Sequence, residues 1–247
     1  MRFLAVMVLI LAATIARGDE TEWRPPFITT PPEIVERMLE LAGTRPDDVV
    51  IDLGSGDGRI VIAAAQKFGA RGLGIELDGA LVQKSRDNAR SAKVEEKATF
   101  MQGDVLVADI SRATVVTVYL LPALMAKLQS RFIDELAPGT RVVSHAFAMA
   151  GWAPDHSETV RLKARHQGQG DESTLHLWIV PADVRGVWRG PDVQLRIEQN
   201  YQKIEIEGAT AATLSGRDIA WKGFKGRVEG NRIVGELAGR PIELTRR

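Results

Sequence analysis

The sequence predicts an α/β chain, a Rossmann-like seven-stranded and mostly parallel sheet, carrying a small C-terminal antiparallel all-β module. The apolar run Val49-Val50-Ile51-Asp52-Leu53 passes into Gly54-Ser55-Gly56-Asp57-Gly58 and then into a second apolar run. That is the pattern of a buried parallel strand, a tight turn and a helix. Two later runs end in acids, Glu76 and Asp104, at the spacing of successive β/α units. Beyond Asp183 the period becomes two, as Val193, Leu195 and Ile197 alternate with Gln194, Arg196 and Glu198. The chain therefore divides into 1–18, 19–183 and 184–247.

Within 19–183, Thr30-Pro31-Pro32-Glu33 opens a helix, with Thr30 as cap, Glu33 bonding back to it and proline at the first helical position. Ile34, Val35, Met38, Leu39 and Ala42 repeat at helical spacing until Gly43. Strands follow at 49–53, 71–76, 98–102, 115–119 and 141–144, with helices reaching to about Lys67, over 81–92, and from Pro122 to Pro138-Gly139. Extended runs at 159–164 and 174–180, joined by the polar turn 167–172, predict an antiparallel hairpin at one edge. From 184 onward the alternation predicts a meander or half-barrel of five or six strands, with turns at Asn200-Tyr201, Ser215-Gly216 and Gly230-Asn231.

The glycine-rich loop lies where open α/β sheets bind nucleotide-like ligands. It is not a dinucleotide fingerprint, because Arg59 stands where the third glycine is required, and it lacks the lysine of a P-loop. Its carboxylates, Asp52 and Asp57, would repel a pyrophosphate and attract a cation. S-adenosylmethionine presents a sulfonium and an α-ammonium, so it suits such a loop. Glu76 falls 18 residues after Gly58, at the end of the second strand, where it can accept from both ribose hydroxyls. Asp104, beside Val105 at the end of the third strand, could accept from the adenine amino group. The alternative, a purely structural loop, does not account for acids at three successive strand ends.

Composition narrows the chemistry further. The 247 residues carry 32 basic and 32 acidic side chains, no cysteine and four histidines, none paired at metal-ligand spacing. No disulfide framework, thiolate site or other metal site is expected. Residues 184–247 hold 12 basic and 8 acidic side chains, a net of +4, without interleaved aromatic stripes, so nucleic-acid binding is not supported. Arg2, the apolar run 3–16 and the small residues Ala16 and Gly18 read as an export signal cleaved before Asp19, which predicts a periplasmic or otherwise exported protein. An uncleaved membrane anchor, placing the protein near a membrane, is the alternative. Oligomeric state is not readable from the sequence.

Residues 26–154 resemble the seven-strand protein-lysine methyltransferases that act on the ATP synthase c subunit and the adenine nucleotide translocase. The matching pieces are Pro26-Phe27-Ile28-Thr29, the run Asp52–Ala65, Gly74-Ile75-Glu76-Leu77, Leu81-Val82, Ser85-Arg86, Ala89 and Trp152-Ala153-Pro154-Asp155. The resemblance implies S-adenosylmethionine as methyl donor and a lysine ε-amine on a protein as acceptor. It places cofactor contacts at Asp52, Gly54, Gly56, Glu76 and Asp104, with Pro26–Thr29 near the methionine end; Thr29, Ser55, Asp57 and Val105 join them as cofactor-binding candidates. One departure concerns the acceptor side: the family usually has an arginine and a Phe-Pro-Phe-Pro run after the fifth strand, where this chain has Ala146-Phe147-Ala148-Met149-Ala150.

Catalytic candidates lie where the fourth and fifth strands end. Tyr119 is the candidate for assisting the amine; His145 reads better as a satisfied buried histidine, and Phe147, Met149 and Trp152 divide between acceptor channel and core. No carboxylate occurs within 119–122 or 144–154, so desolvation of the amine is expected in place of an acidic base. The alternative function is an exported nucleoside- or S-adenosylmethionine-binding protein of the same fold that turns nothing over.

Overall fold

The computed structural model describes residues 28–166 and 170–246. The expected export signal or anchor at 1–18, and Pro26 and Phe27 of the first matching piece, lie outside the described residues. The N-terminal layer runs α1 (Pro32–Leu41), β1 (Val49–Leu53), α2 (Arg59–Phe68), β2 (Arg71–Glu76), α3 (Gly79–Ser91), β3 (Ala98–Gln102), β4 (Val115–Val118), α4 (Pro122–Glu135), β5 (Arg141–His145), β6 (His156–His166) and β7 (Gly170–Ile179). The strands form one sheet in the order β3-β2-β1-β4-β5-β7-β6, parallel throughout except that β7 runs antiparallel to both neighbours. Strand order reverses direction between β1 and β4, so a crevice opens outside their carboxyl ends.

The strands β1, β4 and β5 are buried on both faces because helices cover both. One face packs Ile34, Met38, Val50, Ile60 and Val143 with α1 and α2; the other packs Ile51, Leu53, Val116, Phe132, Trp152 and Trp178 with α4. The expected capping box at α1 does not form. Pro31 is the cap residue without a side-chain bond, because Thr30 Oγ1 is 3.2 Å from His145 Nδ1 and Glu33 Oε1 accepts from the Lys163 amide at 3.0 Å. Both side chains serve tertiary contacts across the sheet. The hairpin is also longer than expected, β6 at both ends and β7 at its start.

Beyond β7, eight strands follow: β8 (Gly186–Arg189), β9 (Gln194–Asn200), β10 (Lys203–Ile206), β11 (Thr213–Ser215), β12 (Asp218–Trp221), β13 (Phe224–Glu229), β14 (Arg232–Leu237) and β15 (Arg240–Arg246). They form a second, wholly antiparallel sheet in the order β10-β9-β8-β15-β14-β13-β12-β11. This is more than the five or six strands expected; the additional ones are only three or four residues long. Its inner face buries Trp188, Ile197, Leu214, Ile219, Phe224, Val228, Ile233 and Leu244.

The second sheet is docked on the first through the β9–β10 turn. Tyr201, held at φ +55°, stacks on Trp152 with ring centroids 5.1 Å apart and planes within 6°. Its hydroxyl accepts from Gln129 of α4 at 2.6 Å. Gln202 accepts from the Trp152 indole at 2.8 Å and donates to the Ala153 carbonyl at 2.6 Å. Trp152 is fully buried, so the bond to Gln202 satisfies an indole N–H that packing has withdrawn from water.

Candidate functional site

The glycine-rich loop between β1 and α2 is pinned from two sides. The amides of Gly54 and Ser55 donate to the Ile75 carbonyl at 2.9 and 3.0 Å, while Ser85 Oγ and Asn88 Nδ2 of α3 donate to the carbonyls of Gly56 and Asp57, each at 2.8 Å. Gly58 starts α2 at φ +82°, and a Cβ there would stand 2.7 Å from the Phe100 ring, so only glycine fits. Ser85 and Phe100 thereby explain why α3 and β3 matter to a loop they do not adjoin in sequence.

The loop floors a cavity of about 880 Å³ at the carboxyl ends of the parallel strands, within the ~300–1,000 Å³ of small-molecule sites. All ten sequence-derived candidates line it: Thr29, Asp52, Gly54, Ser55, Gly56, Asp57, Glu76, Asp104, Val105 and Tyr119. Their environments differ. Asp52 is buried at the tip of β1 and accepts from Thr117 Oγ1 at 2.7 Å. Burial, with Glu76 and Asp57 adding repulsion, pushes its carboxyl up to about 7 against the opposing Thr117 bond. Glu76 accepts from the Gly56 amide at 2.9 Å and the Asp78 amide at 3.0 Å, one on each oxygen. A carboxylate oxygen carries two lone-pair sites, so both keep one for a ligand hydroxyl. Asp104 Oδ1 accepts from the Leu106 amide at 2.8 Å, and Arg131 of α4 holds this loop through the Val105 carbonyl at 2.7 Å.

Two candidates differ from their sequence reading. Asp57 is not a free anion awaiting a cation. Burial raises its pKa, but the Arg59 guanidinium, forked on both oxygens at 2.8 and 2.6 Å, prevails and holds the carboxyl below its usual range. Arg59 also donates to the Thr30 carbonyl at 2.8 Å, fastening the 28–30 segment beside the cavity. Ser55 is buried, and its hydroxyl packs over Gly74, where an added Cβ would lie 2.5 Å from Oγ, with no hydrogen-bond partner among the described residues.

The acceptor side of the cavity is walled by Leu120, Leu121, Ala123 and Leu124 after β4, Ala146 and Phe147 after β5, and Glu172 and Thr174 of β7. Tyr119 stacks at 6.3 Å on Phe147 and lies 4.2 Å from the His145 ring. His145 does not line the cavity. It is fully buried, with Nδ1 on Thr30 and Nε2 3.1 Å from Ser173 Oγ, which ties the N-terminal segment, β5 and β7 together. Met149 and Trp152 belong to the core; Phe147 does both, packing on that core and facing the cavity. The sequence reading missed Arg59 and Glu172. Arg59 carries a signal in its i,i+2 pairing with Asp57; Glu172 falls in the expected turn because the sequence pattern starts β7 only at Thr174.

The cradle fits S-adenosylmethionine: a glycine-built floor, acids at three strand tips for the hydroxyls, amine and cationic groups, and apolar flanks from Leu81, Val105 and Ile28. Comparisons with known proteins agree. The ANTKMT methyltransferase domain matches residues 52–156. A protein-lysine N-methyltransferase of Saccharolobus islandicus is 37% identical over 156 residues, covering 63% of this chain and 93% of that protein. The lysine N-methyltransferase of Xenopus laevis named for the ATP synthase c subunit is 35% identical, covering 53% of this chain and 57% of its own length. A solved structure titled as an RNA methyltransferase from Salinibacter ruber in complex with S-adenosyl-L-homocysteine is 51% identical. It superposes with a TM-score of 0.57 over 64% of this chain and 96% of that one.

Proposed function

The chain belongs to the family of S-adenosylmethionine-dependent methyltransferases that carry the ANTKMT methyltransferase domain, and from that premise we propose that its acceptor is a lysine ε-amine on another protein. The observation that carries this reading is the charge of the cavity. Six carboxylates line it, Asp52, Asp57, Glu76, Asp78, Asp104 and Glu172, against one guanidinium, Arg59. Such a site attracts a cationic amine and repels a phosphate backbone, whose binding depends on lysine and arginine contacts. The relative from Saccharolobus islandicus is named for the same acceptor, whereas the relative from Salinibacter ruber is named for RNA.

Held by these residues, S-adenosylmethionine would supply an electrophilic methyl group for the nitrogen, with the sulfonium leaving as a neutral thioether. The chain's residues have three tasks. Glu76, Asp104 and the Gly54–Gly56 main chain hold and orient the cofactor, and Asp52 balances its positive charge. Leu120, Leu121, Leu124 and Phe147 exclude water from the acceptor side. A free lysine has a pKa near 10.4, so the nitrogen must lose a proton before it can react. Desolvation by that apolar wall lowers the amine's pKa, and Tyr119, at the end of β4 and facing Phe147, orients the nitrogen. The proton leaves to solvent through the cavity mouth.

The test is incubation of the purified protein with methyl-labelled cofactor and whole-cell extract, with proteins and RNA recovered separately and modified positions mapped by mass spectrometry. Label on lysine side chains is the expected result. Label confined to RNA, or to carboxylates and small molecules, overturns the lysine assignment while leaving methyl transfer intact.

A further inference from the structure

The loops after β4 and β5 offer no carboxylate to the acceptor side, but the structure brings one from elsewhere. β5 ends at His145, paired with Leu175; Ala146 then donates to the Thr174 carbonyl at 2.7 Å and turns away at φ +71°. β7, which begins at Gly170, therefore overhangs the carboxyl end of β5, and residues 170–173 pair with β6 alone. Side chains two apart on a strand share a face. Thr174 and Glu172 accordingly both face the cavity, while Ser173 turns the other way, to His145.

Glu172 also differs from the other carboxylates of the cavity in what it is doing. Asp52 is bonded to Thr117, Asp57 to Arg59, Glu76 to two amides, Asp78 to the Ala80 amide and Asp104 to the Leu106 amide. Each of these five is fixed at its post by the cofactor cradle. The side chain of Glu172 has no hydrogen-bond or ion-pair partner among the described residues, and its cross-strand neighbour Arg161 is paired with Asp171 at 3.9 Å instead. An exposed carboxylate without a partner among the described residues, lining the same cavity as Tyr119 and Phe147, is open to an incoming cation.

We propose that Glu172 is the acceptor-docking residue: its carboxylate receives the charged ε-ammonium at the cavity rim and sets the site's preference for cationic amines over phosphate-bearing acceptors. The inference rests on the lysine reading above and adds to it the residue that enforces it. Docking precedes chemistry. The ammonium is held by Glu172 where water still reaches it, and moves past Thr174 toward Tyr119 as it gives up its proton to solvent. No bond is made or broken at Glu172, so its effect belongs to acceptor binding and leaves cofactor binding alone.

The experiment uses the full chain and the variants Glu172→Gln and Glu172→Asp. Calorimetry with S-adenosylhomocysteine should give the same affinity for all three, which certifies the fold and the cradle. With S-adenosylhomocysteine bound, ligand-observed NMR then compares n-butylamine, a lysine side-chain probe, with n-butanol, its neutral counterpart. The wild type should prefer the amine. Glu172→Gln should lose about five- to tenfold of that preference, the scale of a charge-assisted pair discounted for solvent, and Glu172→Asp should restore part of it. Lysine labelling in extract at subsaturating acceptor should fall by the same factor in Glu172→Gln. An unchanged amine preference in Glu172→Gln, with lysine labelling by the wild type intact, overturns the Glu172 assignment alone. Failure of the wild type to label any lysine removes the lysine reading and this inference with it.

Discussion

Asp52→Asn should make the ligand-free protein more stable at neutral pH and less able to bind its cofactor. The folded carboxyl is pushed up to about 7 from 3.8, chiefly by burial. Between those two values the folded state keeps a proton that the unfolded state has lost. The stabilisation from this group is therefore complete below pH 3.8 and lost as pH rises through about 7. The interval, at about 1.4 kcal/mol per pH unit, sets a ceiling of about 4–5 kcal/mol on the destabilisation carried by the ionised form. Asparagine retains an acceptor for the Thr117 hydroxyl at the same position and carries no charge. Urea unfolding of both proteins without ligand, at fixed ionic strength from pH 4.5 to 8.5, should show the variant's advantage growing with pH and levelling off above 8. Calorimetry at pH 8 should show the variant binding S-adenosylmethionine about ten- to hundredfold more weakly, as expected for loss of a charged partner. A stability difference that is flat across this range would refute the claim that Asp52 is held protonated by its burial.

Tyr119→Phe should lower the methyl-transfer rate by up to about a hundredfold, the scale of lost orientation, while S-adenosylhomocysteine affinity, measured by calorimetry, stays unchanged. Gln202→Ala leaves the buried Trp152 indole without its acceptor, so urea unfolding should report a loss of about 1–3 kcal/mol although residue 202 lies in the second sheet. For residues 1–18 we propose export with cleavage after Gly18, so N-terminal sequencing of the protein from fractionated cells should begin at Asp19; an intact Met1 in the membrane fraction would establish the anchor in its place.

The parallel sheet was legible because its signals are local. Val49–Leu53 and Val115–Val118 are mostly apolar and buried, and Gly54, Gly56 and Gly58 follow the first strand at positive φ, the conformation that favours glycine. The acids at the strand tips were legible for the same reason, since a parallel strand that ends in Asp or Glu presents it to the cavity. What was not legible depends on contacts distant in sequence. Thr30 looks like a helix cap until His145, 115 residues away, takes its hydroxyl. The hairpin β6–β7 projects beyond the sheet, where little remains to cover it, so 170–173 lack an alternating apolar signal and Glu172 reads as turn. In the second sheet Thr213–Ser215 and Gly186–Arg189 are too short for a period of two to be counted, which is why the expected strand number is low.

The stacking of Tyr201 on Trp152 has a consequence for how the protein comes into being. By backbone pairing the chain has two sheets, but the apolar cluster around Trp152 is closed by a residue from the second. Fifty positions separate Trp152 from Gln202. At about 5–20 residues per second of synthesis, the indole waits about 2.5–10 s after its own incorporation before the turn that covers it exists. During that interval the apolar cluster that contains Trp152 and Phe147 lacks the Tyr201 ring. The nascent chain therefore holds the strand ends that carry Asp52, Glu76 and Asp104 well before it can close the cluster around Trp152.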